Sequence, residues 1–180
     1  VIAYKAGSLS SAVEFGDHAG ASWHGTHTAG TLMGSDSAVG GVALQDGIAK
    51  DARIYFMDVG GASLGTGLDP FADLNDLFLP AYVGNAGGAA RIASNSWGSS
   101  VAGAYTLNSF EVDQFMWAHP DFYIAFSNGN STTAGTVGSP ASAKNVAGMG
   151  GTRNGTSANL IYGSTSRGPC QDGRRKPTFC

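Results

Sequence analysis

Charge is scarce in this chain: only 13% of its 180 residues are Asp, Glu, Lys or Arg, and the formal net charge is −3. Its ten Lys and Arg are scattered except for Arg174, Arg175 and Lys176. No basic stripe tracks a phosphate backbone, which excludes nucleic acid as a partner. Long apolar runs are also missing. No stretch of about 18 apolar residues is present to span a bilayer, and the start of the chain has no charged segment, apolar stretch and cleavage site of a signal peptide. A membrane partner is therefore not expected. The two cysteines, Cys170 and Cys180, are compatible with one disulfide, with partners elsewhere, or with free thiols, and their number decides none of these. What the chain does have is glycine, 28 of them, with many Ala, Ser and Thr. That composition suits the tight turns of a secreted hydrolase better than a cytosolic helical protein. At 42% hydrophobic residues, the chain is large enough to bury a core within one globular domain.

Strand-like and helix-like segments take turns. Runs rich in β-branched and aromatic residues at 1–6, 52–59, 90–97, 121–129 and 145–151 read as strands, several of them apolar enough to be buried on both faces. Helical patterns run from His24 to about Gly34, from Pro70 to about Val83 and from Thr106 to His119. The second carries Phe71, Leu74, Phe78 and Tyr82 on one stripe; the third carries Leu107, Phe110, Gln114 and Trp117. Asp69 and Pro70 suit a helix start, Gly84 a helix stop, and Pro120 ends the third helix. This alternation predicts an α/β fold with a parallel sheet flanked by helices, whose working loops lie at the carboxyl ends of the strands.

Three such loops hold residues that packing alone does not ask for. "HGTH" opens a helix, "NSWG" (95–98) closes the third strand and "FSNGN" (126–130) the fourth. The positive N-terminal dipole of a helix disfavours a protonated imidazole, so His24 is expected to be neutral and able to accept a proton, as a general base does. The carboxamide of Asn130, on a glycine-flanked loop, suits hydrogen bonding to developing negative charge. Taken singly, each has a plainer reading: His24 as a hydrogen-bonded structural histidine like His27, and "NSWG" as a strand end with a buried Trp97. A zinc site from His18, His24 and His27 lacks an HExxH helix or a cysteine pair to complete it, so no metal is assigned.

In this order, "HGTHTAG", "NSWG", "GN" after an apolar strand, "GSPASAKNV" (138–146) and "STSRGP" (164–169) resemble the subtilisin-like serine proteases, and among them the bacterial alkaline proteases with an "NSWG" segment. The resemblance implies a three-layer, Rossmann-like parallel sheet. It makes His24 the catalytic base, Asn130 the oxyanion donor, and Ser96, Trp97 and Gly98 the edge that binds substrate backbone. The glycine-rich stretch 60–68, with Leu64 and Gly65, would flank the substrate on the other side, so that an extended peptide gains main-chain hydrogen bonds from both edges. It further implies a secreted, extracellular endopeptidase, monomeric when intact, acting on polypeptide substrates and needing no cofactor for its chemistry. Structural calcium is common in the family, but no acidic D-x-D-x-D-G loop appears here.

Two parts of the family's triad are not matched. No "DTG"-like turn precedes His24; Asp17 and Glu14 are the acids upstream of it, and "FGDHAG" does not fit. No "GTSMA"-like helix start follows "STSRGP", while "NGTSANL" (154–160) precedes it and lacks the Met-Ala-x-Pro continuation, so Ser157 reads as a decoy. The 180 residues are thus expected to be one partial peptidase domain, truncated at both ends and inactive alone. The alternative is a non-catalytic module of the same fold that keeps the groove for binding or scaffolding. Asn130 and Asn154 each begin a glycosylation sequon, and Asn154 is expected on a surface loop. "RRKP" (174–177) is expected to be a solvated turn.

Overall fold

A computed structural model describes residues 3–6, 23–36, 44–59, 68 and 72–180, the first four as backbone only. Strand and helix alternate as expected: β1 (Ala3–Ala6), α1 (His24–Met33), β2 (Tyr55–Asp58), α2 (Leu74–Val83), β3 (Ile92–Asn95), α3 (Leu107–Ala118), β4 (Tyr123–Ser127) and β5 (Ala147–Met149). Every strand pair is parallel, β1 with β2 and β3 with β4 with β5. The fold is α/β. Contacts divide the chain into two compact units, Val1–Ala72 with Leu79–Ala90 and Asp73–Phe78 with Arg91–Cys180.

In the first unit, α1 follows Trp23, which adopts a left-handed conformation (φ 52°) and offers no side-chain cap. The far end of α1 is better satisfied. Gly47, Ile48 and Ala49 donate their N–H groups to Gly34, Thr31 and Leu32 at 2.7, 3.2 and 2.7 Å, supplying donors to carbonyls that a helix end leaves without intrahelical partners.

The second unit is built around β4, whose Ile124 and Phe126 are fully buried. Phe78 of α2, Phe115 of α3 and Phe122 pack there with ring centroids 5.3–6.1 Å apart. Thr106 caps α3 in a reciprocal arrangement with Ser109, which satisfies two donors of the first turn at once.

Several expectations need correcting. The helix expected from Pro70 begins at Leu74, and Asp73 accepts the Asn75 N–H at 2.8 Å, doing the work expected of Asp69. Asp69, Pro70 and Phe71 lie outside the described residues. The strands are not uniformly buried on both faces: β3 alternates exposed with half-buried positions, and Ile92 is 71% exposed. In its sheet β3 is an edge strand. The apolar stripe of α3 faces the wrong way, with Leu107, Phe110 and Trp117 exposed and Ser109, Glu111, Val112, Asp113 and Phe115 buried. The polar residues turn inward because they bond distant backbone: Glu111 accepts the Leu74 N–H, and Asp113 those of Lys144 and Asn145. "RRKP" is not simply solvated either. Lys176 is buried and donates to Val146 O at 2.6 Å, and Arg174 donates to Ser142 O at 2.7 Å. Burial pushes the Lys176 ammonium below its ordinary pKa. Cys170 is buried, Cys180 exposed, and both are free thiols.

Candidate active site

Parallel pairing of β3 with β4 brings two of the expected site segments to the same end of one sheet, because Asn95 lies opposite Phe126. Asn95 works as a bracket. Its Nδ2 donates to Ala125 O at 3.1 Å across the sheet, and its Oδ1 accepts the indole N–H of Trp97 at 3.2 Å. The Trp97 ring meets Phe126 edge-on at 5.0 Å, so this half-buried indole is fixed at its polar and its apolar side. Ser96 and Gly98, on either side of it, remain exposed.

Segment 138–139 joins these two. Ser99 and Ser139 exchange both backbone hydrogen bonds, at 2.8 and 3.0 Å, and Gly138 donates to Asn128 O at 2.9 Å. A Cβ on Gly98 would lie 2.6 Å from Ser139 O, so no side chain fits there. Beneath them, hydroxyls of Thr106, Ser109, Ser139 and Ser142 form a hydrogen-bonded cluster that ties the 138–142 segment to the start of α3. Ser96, Trp97 and Gly98 and the loop carrying Asn130 therefore rest on one hydrogen-bonded framework within the second unit.

Asn130 is exposed, and its carboxamide has no hydrogen-bond partner among the described residues, which leaves it available to a ligand. His24 is the first residue of α1, in the first unit, and is exposed. The helix start expected for it is there. His27, read as a hydrogen-bonded structural histidine, is exposed, and no partner for its ring lies among the described residues. Leu64 and Gly65, with most of the 60–68 stretch, and the upstream acids Glu14 and Asp17 lie outside the described residues.

Ser157 sits in a single 3₁₀ turn, Gly155–Ser157, after β5. The open recess around it is lined by Arg153, Asn154, Tyr162 and Ser164 among others, and by no imidazole or carboxylate among the described residues. It thus has no base in that recess to activate its hydroxyl. Asn154 is exposed on the same loop.

The residues whose part the sequence did not show are those that hold the Asn130 loop, above all Ser166, which is fully buried. Its segment stood out as "STSRGP", but nothing in that string marks which of its serines turns inward.

Comparison with known proteins identifies the family. A model of the subtilase family matches residues 6–180. Three curated relatives come from Dictyostelium discoideum and are named serine protease/ABC transporter B family proteins. TagD is 35% identical over 133 residues, 71% of this chain, tagA 32% over 112 residues, 62% of it, and tagB 30% over 132 residues, 71% of it. The matched part makes up 6–7% of each relative's length. With the family pattern running through almost all 180 residues, from the helix that opens on His24 to the segments that wall in Asn130, the chain belongs to the subtilase family.

Proposed function

We propose that this chain supplies the base, the oxyanion donor and one substrate-binding edge of a subtilisin-like serine endopeptidase. The observation that carries the reading is the exposed carboxamide of Asn130, without a partner among the described residues, on the loop after β4 that shares one hydrogen-bonded framework with Ser96–Gly98 after β3. In the mechanism, a serine hydroxyl attacks the scissile carbonyl as His24 takes its proton, and His24 then returns that proton to the leaving amine. Asn130 donates a hydrogen bond to the tetrahedral oxyanion. The backbone at 96–98 is assigned to pair with extended substrate, and Leu64 and Gly65 are assigned to contact the same peptide.

The serine nucleophile and the aspartate that orients His24 come from outside these 180 residues in this reading. The chemistry needs no cofactor, the substrates are polypeptides, and the site of action is extracellular. Among the described residues no helix is long and apolar enough to cross a membrane. The relatives' names couple a serine protease to an ABC transporter, and the peptidase unit is proposed as the part that this chain represents.

Labelling with a fluorophosphonate probe tests the reading. The full-length protein should label and the 180 residues alone should not. His24→Ala should abolish labelling of the full-length protein. Asn130→Ala should lower kcat by about 10²–10³, the magnitude established on subtilisin, itself a member of this family, with little change in KM. A full-length protein inert to the probe and to peptide substrates would replace this reading with a peptide-binding module.

A further inference from the structure

An oxyanion donor works only if it lies about 2.7–3.1 Å from where the oxygen will be, in place before the reaction begins. Among the described residues nothing bonds the Asn130 side chain, so its aim comes from the backbone on either side. That backbone starts out loose: Gly129 has φ +107°, a conformation glycine reaches freely and other residues rarely adopt.

Of the hydrogen bonds that restrain it, three end on Ser166. The Ser166 N–H donates to Gly129 O at 2.9 Å. Its Oγ accepts the Ser131 N–H at 3.0 Å, and its carbonyl accepts from Asn128 Nδ2 at 3.5 Å. The residues before and after Asn130 are thus held by one buried side chain and its own backbone. Two further bonds fix the base of the loop, from the Asn128 N–H to Met149 O and from the Gly138 N–H to Asn128 O, at 2.8 and 2.9 Å. These reach only Asn128. The Ser131 carbonyl accepts from Thr136 Oγ1 and from the Thr133 N–H, while the contacts to the Gly129 carbonyl and to the Ser131 N–H both come from Ser166.

Any residue could make the two backbone contacts at position 166; only the hydroxyl contact depends on serine. The fit is close as well. A Cβ on Gly129 would lie 2.9 Å from Ser166 Oγ, so the hydroxyl occupies the space that a side chain at 129 would need.

We propose that Ser166 is a positioning residue for the oxyanion hole, its Oγ holding the Ser131 N–H so that the Asn130 carboxamide is aimed before substrate arrives. The proposal rests on the reading of Asn130 as the oxyanion donor. Removing the hydroxyl frees the Ser131 N–H, leaves that residue held at its carbonyl alone and loosens the aim of the carboxamide. Displacing a reacting group by about 1 Å can cost about 100-fold in rate, and loosening one of several anchors should cost less, about 10-fold in kcat.

The test is steady-state hydrolysis of a peptide p-nitroanilide by the full-length protein. Ser166→Ala should lower kcat about 10-fold with KM within about two-fold, since the hydrogen bond at stake forms mainly in the transition state. In the Asn130→Ala background the same change should cost less than about two-fold, because Ser166 acts through Asn130. Ser166→Cys keeps the volume but offers a weaker acceptor and should fall between Ser and Ala. It also carries the test if the alanine variant does not fold. An unchanged kcat in Ser166→Ala, an equal loss in both backgrounds, or a loss borne entirely by KM overturns the proposal. If Asn130→Ala itself leaves kcat intact, the reading of Asn130 fails and takes this one with it. If Asn130→Ala lowers kcat while Ser166→Ala does not, only the positioning role falls.

Discussion

Replacing Asp113 with alanine should cost about 3–4 kcal/mol of folding stability. Asp113 lies on α3 at 9% exposure and accepts three hydrogen bonds, from the Lys144 N–H at 2.9 Å, the Asn145 N–H at 2.7 Å and the Tyr105 hydroxyl at 2.9 Å. A hydrogen bond to a charged group contributes about 1.5–3 kcal/mol net. The low end applies to the two amides, because Lys144 and Asn145 are exposed residues whose N–H groups can recover water. The Tyr105 bond deserves less, about 0.5–1 kcal/mol, since that residue is 38% exposed and its phenol regains water when the bond is lost. The total is a large share of the roughly 5–15 kcal/mol that holds an ordinary domain together. Asp113→Asn, which keeps one acceptor but turns an NH₂ toward the second amide donor, should cost about 2 kcal/mol, and Tyr105→Phe about 0.5–1 kcal/mol. Urea denaturation followed by tryptophan fluorescence gives the three values. A loss below about 1 kcal/mol for Asp113→Ala, or one no larger than that of Tyr105→Phe, would show that the carboxylate does not tie α3 to the segment before β5.

Glu111 gives a pH signature. Burial raises its carboxyl above the ordinary value of 4.5, against the Leu74 N–H, which favours the charged form. A raised folded pKa means a contribution fully present below 4.5 and lost as pH rises through the folded value, so Glu111→Gln should gain on the wild type between pH 4 and 7. A wild-type-minus-variant difference that stays flat over that range would refute it. Gly148→Ala should cost about 1–3 kcal/mol, because its Cβ would stand 2.5 Å from Asn128 Oδ1 and 3.0 Å from Lys176 Cδ. As Asn128 begins the Asn130 loop, kcat in the full-length protein should fall with it; full activity would show that the loop absorbs the strain elsewhere.

The order of elements was legible in the sequence because most strands lie in short runs with β-branched or aromatic residues and each helix has a length no strand reaches. Orientation was not. On α3, Leu107, Phe110 and Trp117 form as good a stripe as Val112 and Phe115, so periodicity gives no direction, and the choice falls to Ser109, Glu111 and Asp113, which sequence places on the surface. Their burial is explained only by partners 31 to 37 residues away in the chain. Lys176 failed as an expectation for the same reason, since its acceptor, Val146 O, lies 30 residues upstream.

The candidate site divides along the same line. Groups that would meet a substrate sit in strings dense with unusual residues, "HGTH", "NSWG" and "SNGN", and short strings can be read. Groups that aim them are small and ordinary, and they act across the fold: Ser166 on Gly129 and Ser131, Ser139 on Ser99, Asn95 on Ala125. Such contacts need backbones to approach closely, as Gly98 does to Ser139 and Gly168 to Lys176. This gives a physical account of the composition. Where loops from neighbouring parallel strands are joined by backbone hydrogen bonds, side chains are obstacles and charges have no water to keep them. Abundant glycine and scarce charge are then what a rigid rim of closely joined loops asks of its sequence.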